Sequence, residues 1–511
     1  MQILNSILTW VMKKRIHQIE LFKKYPHDVQ DEVLKKLLNT ARYTEFGQKY
    51  AFDDLVDYED YKRRVPVHTY EQLFPYIERL MRGEQNVLWP SEVKWFAKSS
   101  GTTNARSKFI PVTSEALEEC HFKGGKDLLS IYVNNYPDTK IFTGKNLAVG
   151  GSSQVNEFEP TASSHYGDVS AVIMQNLPPW AQFIRTPSLE VALMPNWEEK
   201  IERLARETID VNVTNIAGVP TWTVLLLQHI LKKENKSSIL EVWPNLEVFF
   251  HGGVSFNPYR EQFAAIIPDS RMRYMETYNA SEGFFGIEDI PGSGELLLML
   301  DYGIFYEFMP LEELGSEHPR CVGLDEVELD KNYALIINTN AGLWRYLIGD
   351  TIKFTSINPY RIRITGRTKS FINVAGEELI VENAEKALAI ACEKCDAIVD
   401  EYTAAPRFST AETKLAHEWL IEFERPPRDL PYFKETLDNA LKSLNSDYEA
   451  KRYQNMILDQ PVLHSLPQGT FYAWMKKKGK LGGQHKVPRL SADRKHLEDI
   501  LAIVREKNPV P

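Results

Sequence analysis

Between Glu198 and Phe250 the apolar residues change their spacing several times, and that alternation leaves few folds open. Ile201, Leu204, Ala205 and Ile209 recur at helical intervals, and VTNIAGVPTW then reads as a strand ending in a turn. A second helix is expected from Thr223 to about Lys233, followed by a short buried strand from Leu246 to Phe250. Helix and strand in alternation predict an α/β layered domain, which places ligand chemistry in loops at the carboxyl ends of its strands.

A chain of 511 residues exceeds one ordinary domain, so two or more are expected. The net charge of −10 argues against nucleic acid or an anionic membrane as the main partner. Four cysteines suggest no disulfide framework, and Cys392 and Cys395 are expected on a buried helical face. The opening MQILNSILTWVMKKRIHQ carries its basic residues after the apolar stretch and reads as an amphipathic helix, not a signal peptide. No run reaches the length of a membrane span, and a reducing, cytoplasmic setting is expected. Residues 1 to about 90 read as helical, with Val29, Val33, Leu37 and Leu38 at helical spacing.

The richest polar stretch is KSSGTTNARSKFIPVT, which follows the strand-like run from Val93 to Ala97. Ser99, Ser100, Thr102 and Thr103 around Gly101 can turn the backbone and aim hydroxyls and amides at a polyphosphate, with Lys108 as counter-charge. A serine- and threonine-rich surface turn has the same composition. Phe109 to Val112 suits a strand, and Ser114 is placed to cap a helix running to about Val133.

Four later stretches also sit where an apolar run meets a loop. In FFHGGVSF, Gly252 and Gly253 let backbone approach a flat ligand. In METYNASEGFFGIED, Tyr278 can stack on a base and Glu282 can bind magnesium bridging phosphates. In LWRYLIGDTIKF, a strand-like run breaks at Gly349 and presents Asp350, which can take both hydroxyls of a ribose or cap a turn. Arg367 and Lys369 mark a hinge, and Lys486 lies in the glycine-rich KLGGQHKVPRL, where a lone lysine is ordinarily solvated. GVPTW, Phe284 and Phe285 can line an acyl pocket or belong to the core.

In order and spacing, SSGTT with SKFIPVT, TYNASEG, RYLIGD and GGQHKVPR resemble the auxin-responsive acyl acid–amido synthetases, the Gretchen Hagen family of adenylate-forming enzymes. The likeness runs from about Tyr70 to Arg489. It implies an α/β fold: a large N-terminal domain with β-barrel and α/β sheets flanked by helices, residues 1–367, and a small mobile α/β C-terminal domain, residues 368–511. It further implies that Ser99, Ser100, Thr102, Thr103 and Lys108 face the ATP phosphates, with Asn279, Ser281 and Arg367 in the same nucleotide site. Tyr278 and the Gly252–Gly253 turn would flank adenine, Asp350 would hold the ribose, and Glu282 would bind Mg2+. Lys486 would be the catalytic lysine that reaches the α-phosphate. The chain departs from plant members in being shorter and in reading AGEEL at the hinge, where they carry a basic residue.

The reaction implied is ATP-dependent adenylation of a carboxylic acid, with release of pyrophosphate, then transfer of the acyl group to the amine of an amino acid. An acyl-CoA synthetase of the same superfamily and a catalytically silent nucleotide-binding scaffold are the alternatives. A GxSxG elbow, a Walker-A loop and an HExxH zinc helix are absent from the sequence.

Overall fold

The computed structural model describes residues 9–507 apart from 100–107, 151–155, 158–163, 195, 254–255, 257–258, 369–370, 373–376, 378, 409–414, 453–457, 482–485 and 492. Ser100, Thr102, Thr103 and Lys369 therefore lie outside the described residues, and the N-terminal helix is described only from residue 9.

A four-stranded sheet contains β1 (Trp95–Ser99), β2 (Lys108–Val112), β4 (Asn156–Glu157) and β5 (His165–Gly167), in the order β2-β1-β5-β4, with β3 (Lys145–Val149) elsewhere. β3 belongs to an eleven-stranded sheet. Its other members are β6 (Arg185–Thr186), β7 (Val213–Gly218), β8 (Val248–Gly252), β9 (Arg273–Ala280), β10 (Gly283–Ile287), β11 (Leu296–Leu298), β12 (Ile304–Pro310), β13 (Asn332–Thr339), β14 (Tyr346–Ile357) and β15 (Tyr360–Arg367). The order is β12-β13-β14-β15-β11-β10-β9-β8-β7-β3-β6. From β6 to β9 neighbouring strands are parallel; from β9 to β12 they are antiparallel.

The expected helix–strand alternation is the parallel half, where helices Trp197–Thr208 and Pro220–Glu234 flank β7. The barrel implied by the resemblance is not closed. The antiparallel strands continue into the parallel ones, and β12 and β6 end the order without pairing to each other among the described residues.

N-terminal helices cover this sheet. In helix Pro26–Ala41, Leu34, Leu37 and Leu38 are buried, and Gln30 spans to the backbone at Leu300, Ile304 and Tyr306. Thr113, not Ser114, caps the helix after β2: its Oγ1 accepts from the Ala116 amide at 3.0 Å, while the Ser114 hydroxyl bonds Glu115. That helix opens through a π-helical stretch, Ala116–Phe122, before Lys123–Asn135.

After β15 come a small hairpin of β16 (Phe371–Ile372) with β17 (Leu379–Ile380), and a sheet ordered β18 (Ile398–Arg407), β19 (Ala416–Arg425), β20 (Val462–Leu466). Helices Val381–Cys395 and Leu430–Leu444 pack with the three-stranded sheet in its own core. Cys392 and Cys395 lie on the first of these helices, each only partly buried. The last helices, Thr470–Lys477 and Lys495–Lys507, contribute Phe471, Trp474, Leu497 and Ile500 to one apolar cluster with Ile216 and Phe249 of the large sheet and Leu226 of helix Pro220–Glu234. Lys476 pairs with Glu198 at 2.7 Å, and Arg489 donates to the Tyr259 hydroxyl at 3.1 Å, so polar contacts border that cluster. Among the described residues no helix is long and apolar enough to cross a membrane.

Candidate functional site

The sheet changes from parallel to antiparallel at β9, which pairs in parallel with β8 and antiparallel with β10. Ligands in open α/β sheets bind outside the carboxyl ends of the strands, and the carboxyl ends of β8 and β9 lie side by side here. Gly252 and Gly253 lie at the carboxyl end of β8. A Cβ on Gly252 would stand 2.4 Å from the Thr277 carbonyl oxygen, and Gly253 has φ +82°. Both positions thus require glycine, one for close approach and one for backbone conformation.

Tyr278 is near the end of β9 and is buried, its ring edge-on to Phe285 at 4.8 Å. Its hydroxyl donates to Asp350 Oδ2 at 2.6 Å, and burial beside that carboxylate pushes the phenol well above its ordinary range. Asn279 and Ala280 finish the strand, and Ser281 with Glu282 forms a two-residue hairpin turn into β10. Ser281 is buried. Burial raises the Glu282 carboxyl, with the Lys108 charge opposing the shift and Asp350 adding to it.

Asp350 comes from inside a strand. The apolar run does not break at Gly349 as its sequence suggests: β14 continues to Ile357. Gly349 instead takes φ +97° within a bulge, where pairing with β13 skips from Ile336–Leu347 to Ala334–Thr351. A bulge of this kind re-aims side chains. Asp350, only 7 % exposed, meets Arg367 directly across β15, Oδ1 to Nε 2.9 Å, and that charge raises the guanidinium pKa. A carboxylate keeps spare lone pairs after two such bonds, so Asp350 can still accept from a diol.

On the other side, Ser99 ends β1 opposite Lys108 of β2, so the hydroxyl-rich loop is the connection between these paired strands. Lys108 Nζ lies 3.2 Å from the Tyr346 hydroxyl and over the rings of Tyr70 and Tyr346. Burial lowers its pKa, against the pull of Glu282. The two tyrosines are site residues that sequence reasoning missed. Tyr346 stood inside the RYLIGD motif, but nothing in its spacing separates it from an ordinary core tyrosine.

Lys486 reaches the carboxyl end of β8 from the C-terminal part. Its Nζ donates to the Gly253 carbonyl, and a Cβ on Gly253 would stand 3.2 Å from it. Burial, then repulsion from Arg367, brings the amine down to about 8, with Asp350 acting the other way. The fold therefore brings together Lys108, Gly253, Tyr278, Glu282, Asp350, Arg367 and Lys486, residues spread over most of the chain. Trp222, Phe284 and Phe285 are core: Trp222 packs edge-on to Trp197 at 4.7 Å, and Phe284 fills the space beside Gly124.

Residues 15–272 match the GH3 family N-terminal domain, 297–367 its central domain and 382–495 its C-terminal domain. The chain belongs to the GH3 family. Among GH3 proteins, indole-3-acetic acid-amido synthetase GH3.4 of Arabidopsis thaliana is 25% identical over 93% of this chain and 91% of its own. Jasmonoyl–L-amino acid synthetase JAR4 of Nicotiana attenuata is 25% identical over 76% of each chain. The solved AtGH3.15 acyl acid amido synthetase, in complex with 2,4-DB, superposes with a TM-score of 0.80 at 17% identity, covering 96% of both chains. A 2-hydroxyisobutyryl-CoA ligase bound to its acyl adenylate gives 0.57 at 12% identity, over 94% of this chain and 91% of that one. At these identities the solved structures speak for the fold alone.

Proposed function

We propose that this chain is an ATP-dependent ligase that adenylates a carboxylic acid and passes the acyl group to the amine of an amino acid. The observation that carries the reading is the meeting of Lys486 with Gly253, beside Arg367 and Asp350, within a family whose relatives are named as amido synthetases.

In the first step a carboxylate oxygen bonds to the α-phosphorus of ATP and the bond to pyrophosphate breaks. Positioning and neutralisation of charge supply most of such a rate. The Lys486 ammonium lies where it can meet charge on the α-phosphate, and Lys108 and the hydroxyl loop from Ser99 to Thr103 serve the outer phosphates. Asp350, held by Tyr278 and Arg367, takes the ribose hydroxyls, while the Gly252–Gly253 turn, Asn279 and Ser281 border the nucleotide. Glu282 suits Mg2+. Its carboxyl is under-compensated where it stands, and magnesium in nucleotide sites commonly takes one or two carboxylates, with phosphates and water completing its shell. Held there, the cation would supply positive charge against the pyrophosphate as it leaves. In the second step the amine attacks the acyl carbonyl, AMP leaves, and the nitrogen loses a proton.

The boundary after Arg367 is the hinge in this reading, with residues 368–511 as the moving part and the cytoplasm as the setting. The test is a carboxylate library screened for pyrophosphate release with amino acids, with coenzyme A, and with neither. Amide products support the reading. A thioester product, or no acid-dependent release, overturns it.

A further inference from the structure

A second cationic group lies on β6, the strand that ends the parallel half of the large sheet, with no role in the site described above. Arg185 in β6 is 7 % exposed, yet its Nε has no hydrogen-bond partner. Among the described residues no carboxylate pairs with it. Its Nη1 rests 3.1 Å from Met174 Sδ, and a thioether is a weak acceptor. Burial alone moves its pKa, downward. Asp168, at the start of the helix that carries Met174, interacts with Lys200 and Lys98, and burial lifts it to about 7. Lys200 is fully buried and donates to the Gly150 carbonyl at 3.0 Å. A Cβ on Gly150 would stand 2.8 Å from Met174 Cε and 3.4 Å from the Ser170 hydroxyl. Arg185, Met174, Gly150 and Lys200 thus form one chain of contacts.

A buried guanidinium without an anion is destabilising unless something completes it. Gly150 follows β3, whose Val149 pairs with Gly218, which in turn pairs with His251 beside the Gly252–Gly253 turn. Two strand spacings, about 10 Å, separate Gly150 from that turn, and Arg185 lies one strand further out, on β6, reaching toward Gly150 through Met174. A substrate that reaches both places is an extended one. The Met174 side chain is unbranched and flexible, so it can yield its place against Nη1 to an oxygen.

Building on the ligase reading, we propose that Arg185, with Met174 as a displaceable plug and Lys200 holding Gly150, is a subsite for a substrate carboxylate that does not react. That carboxylate belongs either to the acceptor amino acid or to the far end of a dicarboxylic acid.

The test compares wild type with Arg185→Met, which keeps bulk and removes charge, and with Arg185→Lys. In amide formation, L-alanine and L-glutamate are set against L-alaninamide, and a monocarboxylic against a dicarboxylic acid. Loss of a charged hydrogen-bonded pair should raise one KM by about 10–100-fold in Arg185→Met, with partial recovery in Arg185→Lys. A rise for the amino acids but not L-alaninamide assigns the carboxylate to the acceptor; a rise for the dicarboxylic acid alone assigns it to the acid. Without ligand, Arg185→Met should melt at or above the wild-type temperature, and L-glutamate or succinate should raise the melting temperature of wild type only. Unmoved KM values overturn the proposal, as does a variant that melts lower and loses every substrate equally. If wild type shows no acid-dependent turnover, the ligase reading fails, and the ligand-induced melting shift still decides whether Arg185 binds a carboxylate.

Discussion

Asp350 and Arg367 face each other across paired strands, with Oδ1 2.9 Å from Nε, while the Tyr278 hydroxyl holds the second carboxylate oxygen. The aspartate is therefore pre-aimed by partners on two other strands. Asp350→Asn keeps the shape but weakens both bonds and the acceptor for a ribose diol. A hydrogen bond to a charged group is worth about 1.5–3 kcal/mol, so ATP affinity should fall about tenfold or more. Calorimetric titration with ATP checks it; wild-type affinity would remove Asp350 from the ribose site.

Glu282 occupies a two-residue turn, so its side chain can change charge with little effect on the sheet. Glu282→Gln should raise the magnesium concentration needed for half-maximal pyrophosphate release and slow that release at saturation. Overlaying magnesium titrations for variant and wild type would leave Glu282 as a turn residue only.

Several of the proposed site residues stand where an apolar run meets a glycine or polar cluster, Gly252–Gly253 and Glu282 among them. Lys486 stands out only through the resemblance carried by GGQHKVPR, since a lone lysine in a glycine-rich loop is ordinarily solvated. Asp350 stands out in the sequence on other grounds than those the fold supplies. A glycine that ends a strand and a positive-φ glycine in a bulge look alike in sequence, so the buried placement of Asp350 was hidden. Thr113 and Ser114 are equally good caps by type, and only the Ala116 amide direction separates them. Arg185 and Lys200 escaped because charged residues are presumed solvated. The shared core of Trp474 and Leu497 with Phe249 joins segments more than two hundred residues apart, which local periodicity does not reach.

The Lys486 amine, lowered to about 8 by burial and by Arg367, should set a pH limit on the proposed adenylation. The sign follows from charge: the amine is protonated below its pKa and neutral above it. With free enzyme, kcat/KM for pyrophosphate release should be level on the acid side of this pKa and fall above about 8. In kcat the same limb should move to higher pH, because bound phosphate favours the ammonium form. Lys486→Arg keeps the charge and should lack the limb. A limb that persists in that variant belongs to another group.

Lys486 also separates the two half-reactions. During adenylation, negative charge builds on the α-phosphate, close to where an ammonium beside Gly253 can meet it. Loss of one preorganised donor of this kind costs about 10²–10³ in rate. When the amine attacks, charge builds on the acyl carbonyl instead, and this lysine matters far less. Lys486→Ala should therefore lose acid-dependent pyrophosphate release by about a hundredfold or more, yet still form amide from a synthetic acyl adenylate. The control is built into the geometry. Lys486 bonds to backbone at Gly253, while docking of the C-terminal part also rests on Trp474 and Leu497 in the shared core and on the Arg489–Tyr259 bond. Removing the lysine alone leaves that docking in place, so the variant should melt near wild type. Equal loss in both half-reactions would mean that Lys486 serves closure of the C-terminal part; no loss in either would return it to the surface.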